Sequence, residues 1–128
     1  MWMATDDLEK TAAAYEAIGL TRNRQFRDEA LDADAISFSA GVGELWLLAA
    51  RGKKGPMVDF LKARGPGIIG VTVMAGNIQT ATRLIEERTK RKFPSYTGPL
   101  GNSFRVPADL THGVIIEFAQ YLVPAKEP

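Results

Sequence analysis

Apolar positions along the chain change period in a way that separates two long helices from a series of short strands. After an apolar start at Met1 to Ala4, Thr5-Asp6-Asp7 supplies residues suited to a helix N-cap, and Asp6 with Glu9 three positions later has the form of a capping box. Leu8, Ala12, Tyr15 and Ile18 recur at helical spacing, and Gly19 suits the position just past a helix end. Three strands follow. Thr21 to Arg27 is polar and reads as an edge strand, Ala35 to Ser39 alternates with period two, and Glu44 to Leu48 reads as mostly buried. Gly41 and Gly43 mark the turn between the last two. The acidic cluster Asp28, Glu29, Asp32 and Asp34 falls in the preceding hairpin, where we expect solvated turn residues.

Gly52 to Gly55 forms a basic, glycine-bounded linker, and Pro56 fits the first position of a short helix carrying Met57, Val58, Phe60 and Leu61. Gly65-Pro66-Gly67 stops it. Ile68 to Ala75 is a β-branched run and predicts a strand. Asn77 then caps a second long helix, with Ile78, Ala81, Leu84 and Ile85 assigned to its inner side. That helix ends in Lys90, Arg91 and Lys92, where cations complement the dipole on a solvated helix end. Three more strands are predicted at about Phe93 to Tyr96, Asn102 to Val106 and Gly113 to Ala119, and Pro124 and Pro128 lie in a tail.

The pattern repeats. A shift of about 70 residues lays Asp7-Leu8-Glu9 on Asn77-Ile78-Gln79 and the strand at Gly43 to Ala49 on the one at Gly113 to Ala119. Both halves read strand, helix, three strands. The expected fold class is therefore α+β, with two βαβββ modules forming a curved mixed sheet around a cleft. We divide the chain into module one at about 1–50, a linker helix at 51–66, module two at 67–120 and a tail at 121–128, all in one domain.

Composition narrows the chemistry. The chain has 128 residues, 45% of them hydrophobic and 24% charged, with a formal net charge of +1. That is one ordinary globular domain, without the basic footprint of a nucleic-acid or membrane-surface binder. No apolar run approaches the roughly 20 residues of a membrane span and no signal-peptide pattern precedes the first helix, so a cytoplasmic location is the expectation. The absence of cysteine excludes disulfides and thiol catalysis. The single histidine, His112, excludes metal sites built from several imidazoles on one chain, and no serine and carboxylate are arranged around it as a triad requires. We read it as a turn residue.

Gly65-Pro66-Gly67-Ile68-Ile69-Gly70 matches the letters G-x-G-x-x-G. A dinucleotide fingerprint needs a strand before those glycines and a helix after them. Here the order is inverted, so the glycines serve as a helix stop and the start of a strand.

FLKARGPGIIGVTVMAGNI (Phe60 to Ile78) and FRVPADLTHGVIIEFAQ (Phe104 to Gln120), with ATDDLEKTAAAYEAIGL and GELWLLAA in the first half, resemble the vicinal-oxygen-chelate superfamily. Its members include glyoxalase I, bleomycin-resistance proteins, extradiol dioxygenases and methylmalonyl-CoA epimerase. The pattern looks most like the epimerase branch, where a GxGxHH start to this strand and a P-D-GGV-x-x-E ending recur. The resemblance implies metal ligands on the first and last strand of each half, but only Glu117 matches the family's carboxylate. Ile69 and Gly70 occupy the histidine positions. The first-half ligand position falls on Trp46, or on Leu47 if the alignment slips by one, and the first-strand position falls just before Met1. No metal or other cofactor is therefore expected from this chain, unless a partner or residues upstream of Met1 supply the ligands.

The resemblance also implies a cleft lined by alternate strand residues. Trp2, Trp46 and Met74 would give it an apolar wall suited to an aromatic or acyl ligand, joined by Glu44, Gly70, Thr72, Phe104 and Ile115. Glu117 carries the candidate catalytic role. Desolvation raises a carboxyl's proton affinity, so a glutamate in such a cleft can take and return a proton near neutral pH. The alternative is a structural glutamate satisfied by a local hydrogen bond or by Arg105. Arg24, Arg27 and Arg105 could also pair with an anionic substrate. These readings give a metal-free binder of a small apolar or acyl ligand, and as the alternative an epimerase-like isomerase or lyase with Glu117 as general base. A homodimer is expected by resemblance; nucleic acid and membrane are not expected as partners.

Overall fold

The computed structural model describes residues 1–41 and 43–120; the expected tail at 121–128 lies outside the described residues. Two compact units divide at Gly70/Val71, inside a strand. Both have the βαβββ order of an α+β protein.

Unit 1 holds β1 (Trp2–Ala4), α1 (Leu8–Ala17), β2 (Thr21–Asp28), β3 (Ala33–Ala40), β4 (Gly43–Ala50), α2 (Pro56–Arg64) and the first residues of β5 (Gly67–Ala75). Its strands run in the order β2-β3-β4-β1-β5. The sheet is mixed, since β1 is parallel to β4 and antiparallel to β5. Trp2 to Ala4 pair with Gly67 to Gly70, which is why the unit boundary falls inside β5 rather than before it. Ala12 of α1 packs on Ile36, Phe38 and Leu47, so one face of this half-sheet is covered by the helix.

Unit 2 takes the rest of β5, then α3 (Ile78–Thr89), β6 (Tyr96–Gly98), β7 (Gly101–Val106) and β8 (Ile115–Gln120). Its strand order is β5-β8-β7-β6, so the first strand lies beside the last, as β1 lies beside β4 in unit 1. Ile78 of α3 packs with Phe93, Phe104 and Val106. The repeat extends to the caps. Asp7 accepts from the Lys10 amide at 3.1 Å and Asn77 from the Thr80 amide at 3.0 Å. Their backbones nearly coincide at φ/ψ of −141/98° and −140/103°.

Several local expectations need correction. Asp7, not Asp6, caps α1. Ile18 is exposed because it is the C-cap, beyond the last helical residue. Leu84 is also exposed; at about 100° per residue it lies well off the stripe of Ile78, Ala81 and Ile85. The sixth strand starts at Tyr96, and Phe93 instead enters the helix-side core from the preceding segment. β8 starts at Ile115 rather than Gly113, because Pro107 to Val114 turn through a short 3-10 helix and hydrogen bonds back onto themselves. Asp28 is buried, and its carboxylate accepts from the Leu31 amide at 3.0 Å, so it builds the hairpin rather than facing water. Glu29 and Asp32 pair with Arg27, and Asp34 with Arg51. Gly65 ends α2 at φ +73° and β5 follows, the inverse of a dinucleotide loop.

Candidate functional site

In unit 2, strand alternation sorts the side chains of β7 and β8. Phe104 faces Phe118 across the ladder, and their rings stack at 5.0 Å and 11° on the side covered by α3. Successive strand residues point to opposite faces. The next pair, Arg105 and Glu117, therefore lies on the other face. Phe104, expected among the ligand-binding residues, is fully buried in the helix-side core.

Glu117 is 0% exposed and fully engaged. The Thr72 hydroxyl donates to Oε1 at 3.0 Å. Tyr96 donates its hydroxyl proton to Oε2, and Arg105 donates from Nε to the same oxygen at 3.2 Å. Arg105 Nε also reaches the Tyr96 hydroxyl oxygen at 2.7 Å, and its guanidinium lies 5.3 Å above the Tyr96 ring. Four strands thus contribute one residue each: β5, β6, β7 and β8. Burial holds the Tyr96 phenol well above its ordinary range, reinforced by the bond to Glu117 and opposed by the charge of Arg105. The expected carboxylate in an apolar setting is instead a carboxylate in a hydrogen-bonded one. Of the alternatives weighed from sequence, satisfaction by Arg105 is what the geometry contains.

Ile115 is half-buried and two residues from Glu117 on β8, hence on its face. Met74, two residues from Thr72 on β5, is 45% exposed. His112 is exposed in the left-handed region at φ 58°, within the turn before β8.

In unit 1, one row of paired residues runs Arg24, Ser37, Trp46, Trp2, Gly70 across five strands. Trp2 and Trp46 stack at 5.1 Å and 15°, and Phe26 meets Trp46 edge-on at 5.1 Å. The two indoles are 0% and 2% exposed, so their surfaces are spent on packing. Trp46 Nε1 donates to Glu44 at 3.4 Å, Arg24 reaches the same carboxylate at 3.4 Å, and its guanidinium lies 5.9 Å from the Phe26 ring centre. Of the two residues between which the sequence alignment slipped, Leu47 packs under α1 and Trp46 faces the other way. Trp2 stands level with Trp46 and Gly70.

Trp2, Trp46 and Gly70 offer no ligating side chain, and Glu117 is one carboxylate. Among the described residues no group of three or more His, Cys, Asp or Glu is placed to hold a metal ion. The residues present do not fit the four-ligand centre that the resemblance implies. Grooves elsewhere in the units do not involve this chemistry: one of about 610 Å³ in unit 2 runs along α3 past Ile78, Glu86 and Phe93, and one of about 700 Å³ in unit 1 runs along α1.

The fold is shared with solved structures of methylmalonyl-CoA epimerases. Among similar solved structures is methylmalonyl-CoA epimerase from Mycobacterium tuberculosis, at TM-score 0.80 and 16% identity over 95% of this chain and 85% of that one. A variant of the Streptomyces coelicolor epimerase in complex with 2-nitronate-propionyl-CoA aligns at 0.80 and 17%, over 99% and 94%. A hypothetical protein from Bacillus halodurans aligns at 0.80 and 15%, over 98% and 94%. In fold, these neighbours agree with the resemblance suggested by sequence. No protein-family model matches the chain, and no curated protein does.

The site that sequence reasoning missed is centred on Tyr96. The sequence placed it at the end of a predicted strand, whereas β6 starts there, and its reach to Glu117 depends on β6, β7 and β8 lying side by side. Thr72 and Glu117, both singled out from sequence, are brought into contact.

Proposed function

We propose that this chain is a small-molecule-binding protein of the vicinal-oxygen-chelate fold that works without a resident metal ion and takes a small apolar or acyl ligand. The observation that carries the reading is the state of Glu117. Its carboxylate already has a cationic partner in Arg105 and hydroxyl donors in Thr72 and Tyr96. A buried carboxylate whose charge and lone pairs are met within the chain gains little from a metal and would first have to give up those partners. Met74 and Ile115 flank the network and supply apolar surface for an acyl chain.

The test is elemental analysis of the full-length protein purified without chelator. The expected result is far less than one metal per chain; a stoichiometric divalent metal overturns the reading.

One observation favours a second reading, an epimerase-like proton transfer. The direct bond between Tyr96 and Glu117 couples a buried carboxylate to a half-buried hydroxyl, a short route for a proton. The neighbouring structures that act on methylmalonyl-CoA support trying that thioester first. If the reading holds, the chain exchanges solvent deuterium into methylmalonyl-CoA, and Glu117→Gln abolishes exchange while leaving binding nearly intact. Exchange that survives the substitution removes Glu117 from the chemistry.

A further inference from the structure

We propose that unit 2 carries a second ligand site, in the groove along α3, and that it takes a small organic guanidinium whose charge is met by Glu86.

The two units differ at one point of their shared plan. Glu16 and Glu86 each lie nine residues after a cap, Asp7 and Asn77, so the repeat puts the same carboxylate on both long helices. In unit 1 that carboxylate has a cation of its own. Arg22 on β2 donates from Nη2 to Glu16 at 2.6 Å and lies 3.5 Å from Glu9. The shift of about 70 residues lays Arg22 on Lys92 and Glu9 on Gln79. Lys92 does not take over the role of Arg22. Its side chain is 93% exposed and its Nζ stays 3.5 Å from Glu86, as the only ion-pair partner of that carboxylate among the described residues. Yet Glu86 is the more recessed acid, its side chain 19% exposed against 46% for Glu16. A carboxylate drawn further from water needs more compensation. Unit 2 gives it less.

What unit 2 has beside Glu86 is space. The groove along α3, of about 610 Å³, falls within the size range of small-molecule sites. Glu86 lines it, with Ile78 and Phe93 as its apolar part. The side-chain amides of Gln79 and Asn102 also line it and make no hydrogen bond among the described residues. Arg83 and Glu87, both exposed and four residues apart on the helix, add opposite charges at the rim. Lys92, nearly all in solvent, screens Glu86 weakly, so Glu86 sets the sign of the ligand. A guanidinium suits this set better than an ammonium. Its planar fork can meet both oxygens of one carboxylate and still donate to an amide carbonyl, and a short alkyl arm then meets Ile78 and Phe93. The groove lies on the helix side of the sheet, since Asn102 is two residues from Phe104 on β7, and Glu117 faces the other way.

The experiment is a titration of the full chain, labelled with 15N, by n-butylguanidinium and by its neutral isostere n-butylurea. Saturable shifts are expected at the backbone amides of Glu86 and Phe93 and the side-chain amides of Gln79 and Asn102, with butylurea about tenfold weaker. Glu86→Gln should erase that preference, whereas Glu16→Gln, at the matching place in unit 1, should leave it unchanged. Lys92→Ala removes the competing cation and should tighten butylguanidinium binding about threefold. The wild-type comparison and the Lys92 variant stand even if the Glu86 variant does not fold. Equal binding of the two compounds, a preference that survives Glu86→Gln, or looser binding in Lys92→Ala overturns the proposal. Shifts confined to residues around Arg22 and Glu16 overturn the placement, and binding of neither compound overturns the site. None of these outcomes bears on the reading of Glu117, which metal content decides separately.

Discussion

Replacing Arg105 with methionine gives the sharpest test of the energetics at the unit 2 site. The substitution keeps most of the apolar stem and removes the guanidinium, leaving Glu117 buried without its cation. Breaking a buried pair from one side costs about 3–5 kcal/mol, because the remaining charge is uncompensated. Here Thr72 and Tyr96 still donate to the two carboxylate oxygens, so the lower end applies, about 3 kcal/mol. With a urea slope of about 2 kcal/mol per molar, the unfolding midpoint should fall by roughly 1–2 M. Glu117→Leu alone should also destabilise, since it strands Arg105 and two hydroxyls. The double variant should recover much of the loss, because replacing both members of a buried pair by apolar groups is often close to neutral. The double-mutant cycle should then give a coupling of about 2 kcal/mol. A coupling under about 0.5 kcal/mol would falsify the claim that Arg105 is the counter-ion of Glu117.

Two further outcomes follow from the same structure. Tyr96 keeps its proton in the folded state at pH values where an unfolded tyrosine, near 10.0, has lost it. The native state then binds more protons, so stability is intact below about pH 10 and falls as pH rises beyond it. Denaturant midpoints measured across that range should show the fall, and Tyr96→Phe should flatten it; equal slopes for the two proteins sink the assignment. Trp46→Ala should cost about 3–5 kcal/mol, since it opens a cavity beside Trp2 and Phe26. It should also remove the exciton signal of the stacked indoles in circular dichroism, and persistence of that signal would contradict the stack.

The sequence by itself determined the element order and the duplication. Period-3.6 stripes, cap residues and glycine stops act within a few residues, so they are readable before the chain folds, and Asp7 and Asn77 show it by capping both long helices with matching geometry. Phe93 left its predicted strand for the core of Phe104 and Val106, a contact made only in the folded unit, whereas Asp28 was buried by its own hairpin through a bond spanning three residues. Glu117 could be singled out from sequence, but not its partners. Arg105 is 12 residues away, Tyr96 21 and Thr72 45, and only sheet register brings them to one carboxylate. Register also set the face of each residue, because a shift of one residue turns every side chain of a strand over. That is why Phe104 and Arg105, adjacent in the chain, ended on opposite sides, and why Trp46 rather than Leu47 stands beside Trp2. Local sequence fixes which strands form; pairing between strands decides which charges meet.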